Sequence, residues 1–301
     1  MPLTSLVMLT LNGLEMTRRC VESVSRHTEP LEWIAVDNGS TDGTVDFWAG
    51  IPGVKLIANT ENQGFAAGAN QGMAAASGDH ILLLNNDTVV GPHWLTRLHE
   101  ALSRDPDIGI VGPVSNHVAP IQRAAGAWPS LEELDAYALN RQTNLAGQGF
   151  YAHRLIGFCM LFHRGLLERI GGFDERFYPG NYEDDDFSIR ARISGKRLWV
   201  AEDVYIHHEG QGTFGRSPIG HRIAMLNNAE RFRDKWNVGI SACEIASLGY
   251  NPSDIVGREP FFIPERHFVK LKTTDETTAY DQTRMQIPEL SPAEKIIFRS
   301  R

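Results

Sequence analysis

The stretch His80-Ile81-Leu82-Leu83-Leu84-Asn85-Asn86-Asp87 runs four aliphatic side chains into a polar triplet with no glycine or proline between them. A strand with one wet face alternates apolar and polar residues, whereas a run apolar on both faces belongs to a strand covered on both sides. The chain before it obeys the same rule. Leu6-Val7-Met8-Leu9-Thr10, a helix from about Met16 to His27, Trp33-Ile34-Ala35-Val36-Asp37, a helix over Thr41 to Ala49, Val54-Lys55-Leu56-Ile57-Ala58 and a small-residue helix over Gly64 to Ala76 alternate strand with helix. The pattern predicts an α/β fold with a mostly parallel central sheet and helices on both faces. Ligands of such sheets sit beyond the carboxyl ends of the strands. Here those ends are polar: Thr10-Leu11-Asn12, Asp37-Asn38-Gly39-Ser40 and Asn85-Asn86-Asp87.

From Gly112 to Gly149 the chain reads as an irregular excursion containing Pro113, Pro120 and Pro129. Regular structure resumes with a strand over Leu155 to Phe162, a turn at Gly171-Gly172-Phe173-Asp174-Glu175, a helix that opens on Glu183-Asp184-Asp185-Asp186 and closes at Gly195, a strand over Asp203 to His208 and a helix from Ile219 to Trp236. We expect residues 1–115 to form a Rossmann-like half, 116–236 the second half of the same domain, and 237–301 a tail for packing or oligomerisation. Within that tail, Pro260-Phe261-Phe262-Ile263-Pro264 reads as an extended apolar strip docked on the domain or on a second subunit.

Composition narrows the function. The 301 residues carry 29 Lys and Arg against 37 Asp and Glu, a formal charge of −8, which excludes the clustered basic face that nucleic acid requires. Three scattered cysteines, Cys20, Cys159 and Cys243, give neither a disulfide framework nor a zinc site. No apolar run approaches the ~20 residues of a bilayer span, and Met1-Pro2-Leu3-Thr4-Ser5 leads directly into a strand, so no secretory signal is read and a cytoplasmic protein is expected. Peripheral attachment at the inner membrane face and a homodimer stay open.

Four adjacent carboxylates at a helix start repel one another, so the cluster calls for a compensating cation or a proton-transfer role. A solvated, acid-rich helix start is the plain alternative. Asp87, emerging abruptly from a buried strand beside two amides, can hold Mg²⁺ or Mn²⁺ when substrate phosphates supply further oxygens. It can equally cap the next turn through Thr88. Ser40 to Thr44 is explained by a capped turn, but Asp37 belongs to the strand itself. His207 and His208 end another strand on opposite faces, so one at most reaches the crevice.

The ordered set Thr10-Leu11-Asn12, Val36-Asp37-Asn38-Gly39-Ser40-Thr41-Asp42-Gly43-Thr44, Asn62-Gln63-Gly64-Phe65, Asn70-Gln71-Gly72, Leu84-Asn85-Asn86-Asp87, Gly171-Gly172-Phe173-Asp174-Glu175, Tyr182-Glu183-Asp184 and His208-Glu209-Gly210 resembles the family 2 glycosyltransferases, inverting enzymes of the A-type nucleotide-sugar fold. The resemblance spans about Ser5 to Trp236 and implies that residues 1–115 are the nucleotide-sugar-binding half and 116–236 the acceptor-binding and catalytic half. It implies transfer of a hexosyl or deoxyhexosyl group from a nucleotide-diphosphate sugar to a hydroxyl of a saccharide or lipid-linked acceptor of the cell surface, as in polysaccharide biosynthesis. It further implies nucleotide contacts from Thr10, Asn12, Asp37, Asn38, Asn62, Gly64, Asn70 and Asn86, a Mn²⁺ or Mg²⁺ ion at Asp87 with help from His208, Asp184 as catalytic base beside Glu183 in the Glu-Asp motif, and an acceptor border at Asp174 and Glu175. Asparagines stand where the metal motif usually has its first acids, which implies weak ion binding until the diphosphate arrives.

Two other readings are weaker. A sugar nucleotidyltransferase needs a glycine-rich, basic N-terminal loop, where this chain has Leu11-Asn12-Gly13-Leu14-Glu15. A non-catalytic carbohydrate-binding module would have lost the base, yet Asp184 and Asp87 are both present.

Overall fold

The computed structural model describes residues 3–28, 30–210, 218–238 and 251–272. Nine strands form one open, twisted sheet: β1 (Thr4–Thr10), β2 (Glu32–Asp37), β3 (Lys55–Ala58), β4 (His80–Leu84), β5 (Thr88–Val90), β6 (Ile108–Ser115), β7 (Gly149–Ala152), β8 (Cys159–His163) and β9 (Arg197–His208). Their order is β3-β2-β1-β4-β8-β6-β9-β5, with β7 pairing to β9. The ladders β3-β2-β1-β4 and β6-β9 are parallel, whereas β8, β5 and β7 run against their neighbours. Most strands therefore point one way, and their carboxyl ends define one rim.

Successive side chains of the buried strands feed two cores. Val7, Ile81 and Leu83 enter one core with Phe162 and Phe187, while Leu6, Met8, Leu82 and Leu84 enter the other with Cys20, Trp48 and Trp94. The second core is closed by α1 (Leu14–His27), α2 (Thr44–Ala49) and α4 (Trp94–Ser103), and the first by α3 (Phe65–Ala75), the start of α5 (Leu134–Asn144), α6 (Gly165–Ile170) and α7 (Glu183–Ile193). The small residues of α3 bring its backbone against the sheet. A Cβ on Gly72 would lie 2.3 Å from Val7 Cγ1, so only glycine fits there.

Several elements go beyond the sequence reading. The excursion over Gly112 to Gly149 is not irregular throughout: it completes β6 and contains α5. Its prolines had argued otherwise, but Pro113 lies at a register shift of the β6-β9 ladder and Pro129 precedes the helix. Strand β9 begins at Arg197 rather than Asp203, a buried carboxylate that accepts the Gly147 N–H at 2.8 Å. Strand β8 starts at Cys159, because Leu155 and Ile156 give their N–H groups to Ser188 and Gln122 side chains.

Helix α8 (Pro218–Trp236) packs Phe232 and Trp236 on Phe177, Tyr182 and Ile189. After it, α9 (Pro252–Arg258) and a single turn, α10 (Pro264–His267), form a strap across α7. Of the strip Phe261-Phe262-Ile263, only Phe262 packs inward, its N–H donating to the Ile193 carbonyl at 3.0 Å. Phe261 and Ile263 are 74% and 48% exposed. Residues 211–217, 239–250 and 273–301, including Cys243, lie outside the described residues.

Candidate active site

At the carboxyl rim, Leu9, Thr10, Leu11, Asn38, Asn62, Phe65, Asn85, Asn86, Asp87 and Pro179 enclose a cleft of about 110 Å³. Five of the residues read from the sequence, Thr10, Asn38, Asn62, Asn86 and Asp87, line it together. Its lining carries one formal charge, the Asp87 carboxylate, and no lysine or arginine. A wider, open depression of about 730 Å³ lies near the start of β9, between Arg104, Tyr151 and Trp199. Its acid Asp105 is already engaged by the Tyr151 hydroxyl and Arg197.

The strand ends are braced from beneath. Asp37 is fully buried and accepts the Thr10 hydroxyl at 2.7 Å, the Ser40 N–H at 2.7 Å, the Ser40 hydroxyl at 2.6 Å and the Gly39 N–H at 3.1 Å. All its acceptor directions are taken, so it holds the β2 loop instead of facing the cleft. Asn12 plays a similar part, accepting the Thr41 N–H at 2.9 Å while its own N–H donates to Ser40. Asn38 donates to the Gly64 carbonyl at 3.1 Å and accepts from Asn59 at 2.9 Å. Gly64 precedes α3 at φ 83°, where a Cβ would strike the Tyr178 ring at 2.8 Å, and Asn62 accepts its N–H at 2.8 Å. Asn86 donates to Thr17 at 2.9 Å.

Two expectations shift location. Asn70, read as a nucleotide contact, is 2% exposed and spends its amide on the Phe173 N–H and carbonyl and on Glu175. It fastens α3 to the 173–175 turn. Asp174, read as an acceptor border, is buried and pairs with Arg176 at 2.6 Å and Lys235 at 2.8 Å. Burial opposes its charge, but these cations overcome it and hold the carboxyl well below the usual range. Glu175 accepts from Asn70 at 3.1 Å and from Lys272 at 2.5 Å.

Asp87 and His208 meet across the β5-β9 ladder, Oδ1 to Nε2 at 3.1 Å. The imidazole Nδ1 is 2.6 Å from the His117 carbonyl, its ring stacks on Phe158 at 5.2 Å, and Asn116 bonds the His208 backbone on both sides. Burial alone would lower its pKa, but the Asp87 hydrogen bond and charge and the His117 carbonyl outweigh it and raise it. Asn116 and His117 carry no sequence signal, because their role depends on the return of β9 from a hundred residues away.

The four acids at the start of α7 have separate fates. Asp185 is clamped by the Arg154 Nη1 at 2.7 and 2.9 Å, and the fully buried Asp186 pairs with Arg190 at 2.8 Å and Lys235 at 2.6 Å. Asp184 is half-buried and accepts the Gly157 N–H at 2.9 Å and the Asp185 N–H at 2.9 Å. It abuts Gly157 together with the cleft residue Phe65. Burial, and after it the Asp185 charge, raise its pKa from 3.8 to about 6. Glu183 is 5% exposed, its Oε2 has no partner, and burial followed by the Asp184 charge pushes its pKa well above the carboxylate range. The helix enters this cluster through Asn181 and Tyr182, both in the left-handed region at φ 76° and 74°, a costly backbone conformation of the kind concentrated at working sites.

Residues 5–171 match the family described as glycosyl transferase family 2. The chain is 31% identical over 239 residues, 68% of its length and 76% of the relative's, to an N-acetylglucosaminyl-diphospho-decaprenol L-rhamnosyltransferase of Mycobacterium tuberculosis. The chain belongs to glycosyl transferase family 2. Its fold is similar to that of a mannosyltransferase from Pyrobaculum calidifontis solved with GDP-Man and Mn²⁺, at a TM-score of 0.58 and 21% identity over 87% of this chain and 72% of that one. It is also similar to GalNAc-T7 solved with UDP, GalNAc and Mn²⁺, at 0.58 and 18% identity over 94% and 58%.

Proposed function

We propose that this glycosyltransferase moves a hexosyl or deoxyhexosyl group, with inversion, from a nucleoside diphosphate sugar to a hydroxyl of a saccharide or lipid-linked acceptor, with Asp184 as the base. The observation that carries the reading is the Asp184 carboxylate: half-buried, raised to about 6 and, like the cleft residue Phe65, a neighbour of Gly157. A base with that pKa is ionised at neutral pH and still basic enough to take a proton. The acceptor oxygen would attack the anomeric carbon as its proton passes to Asp184; the bond from that carbon to the diphosphate breaks with its electron pair, in a single inverting displacement.

The residues at Asp87 fit a divalent ion. No group of three or more His, Cys, Asp or Glu able to hold a metal is found among the described residues, so a carboxylate and an imidazole would leave most positions to diphosphate oxygens and water, as Mg²⁺ and Mn²⁺ accept. That ion's chemistry when bound would be to offset the leaving group's charge. Thr10, Asn38, Asn62 and Asn86 would contact the nucleotide directly, with Asp37, Asn12 and Gly64 shaping the loops beneath, and residues 116–236 would present the acceptor. A lipid-linked acceptor is favoured by the decaprenol-linked substrate in the name of the mycobacterial relative, and the same reading places the site at the cytoplasmic face of a membrane.

Screening nucleoside diphosphate sugars by thermal shift with Mn²⁺ tests the reading. A donor at 100 times its dissociation constant stabilises by about 2.7 kcal/mol, and a screen in which no such donor shifts the melt would count against it.

A further inference from the structure

The strap over 261–272 alternates inward and outward. Phe262 packs on Ile193 and His267 is 1% exposed beneath it, while Phe261, Ile263 and Phe268 stand 74%, 48% and 42% exposed. Eight large apolar side chains are this open among the described residues, and three fall within these eight positions. Such concentration marks an interaction surface rather than ordinary apolar scatter. Charge indicates the occupant. Residues 258–272 hold Arg258, Arg266, Lys270 and Lys272 against Glu259 and Glu265, a basic segment in a chain of net charge −8. Phenylalanines interleaved with Arg and Lys on an outward face suit the boundary between acyl chains and anionic headgroups.

The strap is tied firmly to the catalytic helix and its turn. Phe262 N–H donates to the Ile193 carbonyl at 3.0 Å, Gly172 N–H to Val269 at 2.8 Å and Val269 N–H to Ile170 at 3.3 Å. Trp236 stacks on His267 at 5.5 Å, and Lys272 reaches Glu175 at 2.5 Å. Whatever seats Phe261, Ile263 and Phe268 therefore fixes the orientation of α7 and of the 171–175 turn.

We propose that the outward face of residues 261–270 docks on an anionic lipid bilayer and holds the site toward a membrane-embedded acceptor; the second half of that statement rests on the lipid-linked reading above. The full chain is sedimented with vesicles of phosphatidylcholine alone and of equal parts phosphatidylcholine and phosphatidylglycerol, with light scattering in parallel. The wild type pellets with the anionic vesicles. The Phe261→Ser/Ile263→Ser/Phe268→Ser variant loses binding by about 1,000-fold, taking roughly tenfold for each of the three partly inserted side chains, while Arg266→Gln/Lys270→Gln loses the preference for anionic over neutral vesicles. All five positions are exposed, and an unchanged circular dichroism melt confirms folding. A wild type that stays in the supernatant, or a triple variant that binds as the wild type does, overturns the proposal. So does a triple variant that converts a dimer to a monomer without altering vesicle binding, since a second copy then covers the face. Binding is read without any transfer assay, so failure of the proposed reaction leaves this result intact.

Discussion

Replacing Asp184 with asparagine should separate stability from catalysis. The rise from 3.8 to about 6 means that the native fold disfavours the ionised carboxyl. At neutral pH that shift corresponds to about 3 kcal/mol of destabilisation, which we halve because the group is partly open to solvent. The sign follows directly: a carboxyl raised in the folded state penalises the fold above its folded pKa, and the penalty fades as pH falls through that value toward the unfolded one. Asparagine removes the charge but keeps only one acceptor oxygen for two backbone donors, Gly157 N–H and Asp185 N–H, at 2.9 Å each. Losing one of those bonds costs about 1 kcal/mol. The variant should therefore be as stable as the wild type or about 0.5 kcal/mol more so, a melting point unchanged or a few degrees higher. Its turnover should fall by about 10²–10⁴-fold, with affinity for the nucleoside diphosphate nearly unchanged by calorimetry, because the base acts on the acceptor. Turnover within a few-fold of wild type in a stable variant would refute the assignment and move attention to Glu183 or Asp185.

Further outcomes follow from the same geometry. In the wild type, kcat should fall tenfold per pH unit below an apparent pKa near 6, since protonation of Asp184 removes the base; a profile flat down to pH 4 would contradict this. Asp87→Ala should abolish the Mn²⁺-dependent part of nucleoside diphosphate affinity and His208→Ala should weaken it less, as read by calorimetry with and without metal; equal wild-type affinities in both conditions would remove the metal site. Lys235→Met leaves Asp174 and Asp186 short of their shared cation, which lies 2.8 and 2.6 Å away, and should cost about 3–5 kcal/mol by urea melts. Gly72→Ala forces a methyl into Val7 and should cost about 1–3 kcal/mol, the Val7→Ala change restoring part of it.

The parallel half was legible because its strands are buried on both faces and each ends in an abrupt polar group. The same rule hid β6 and the first half of β9, where Pro113 and the buried Asp203 interrupt the apolar run and are accommodated by a register shift and a backbone donor that only the folded chain supplies. At the site, Thr10, Asn38, Asn62, Asn86 and Asp87 were within reach of sequence reasoning because strand ends converge by topology. What separates working carboxylates from structural ones was not. Asp37 and Asp174 look like ligand contacts in the sequence, and only their tertiary partners, Thr10 and Ser40 for one and Arg176 and Lys235 for the other, commit them to holding the scaffold. Within the acidic run the reverse applies: Asp185 and Asp186 are neutralised by Arg154 and Lys235 from distant parts of the chain and by Arg190 one turn along the same helix, while Asp184 accepts the backbone N–H groups of Gly157 and Asp185.

The central claim is a direct displacement at the anomeric carbon with Asp184 as base, and the configuration of the first-formed product tests it most directly. Proton NMR of the reaction mixture during early turnover, with the donor found by the thermal screen, should show the new glycosidic bond with the anomeric configuration opposite to that of the donor. A product that retains the donor configuration would contradict the single displacement and the role given to Asp184.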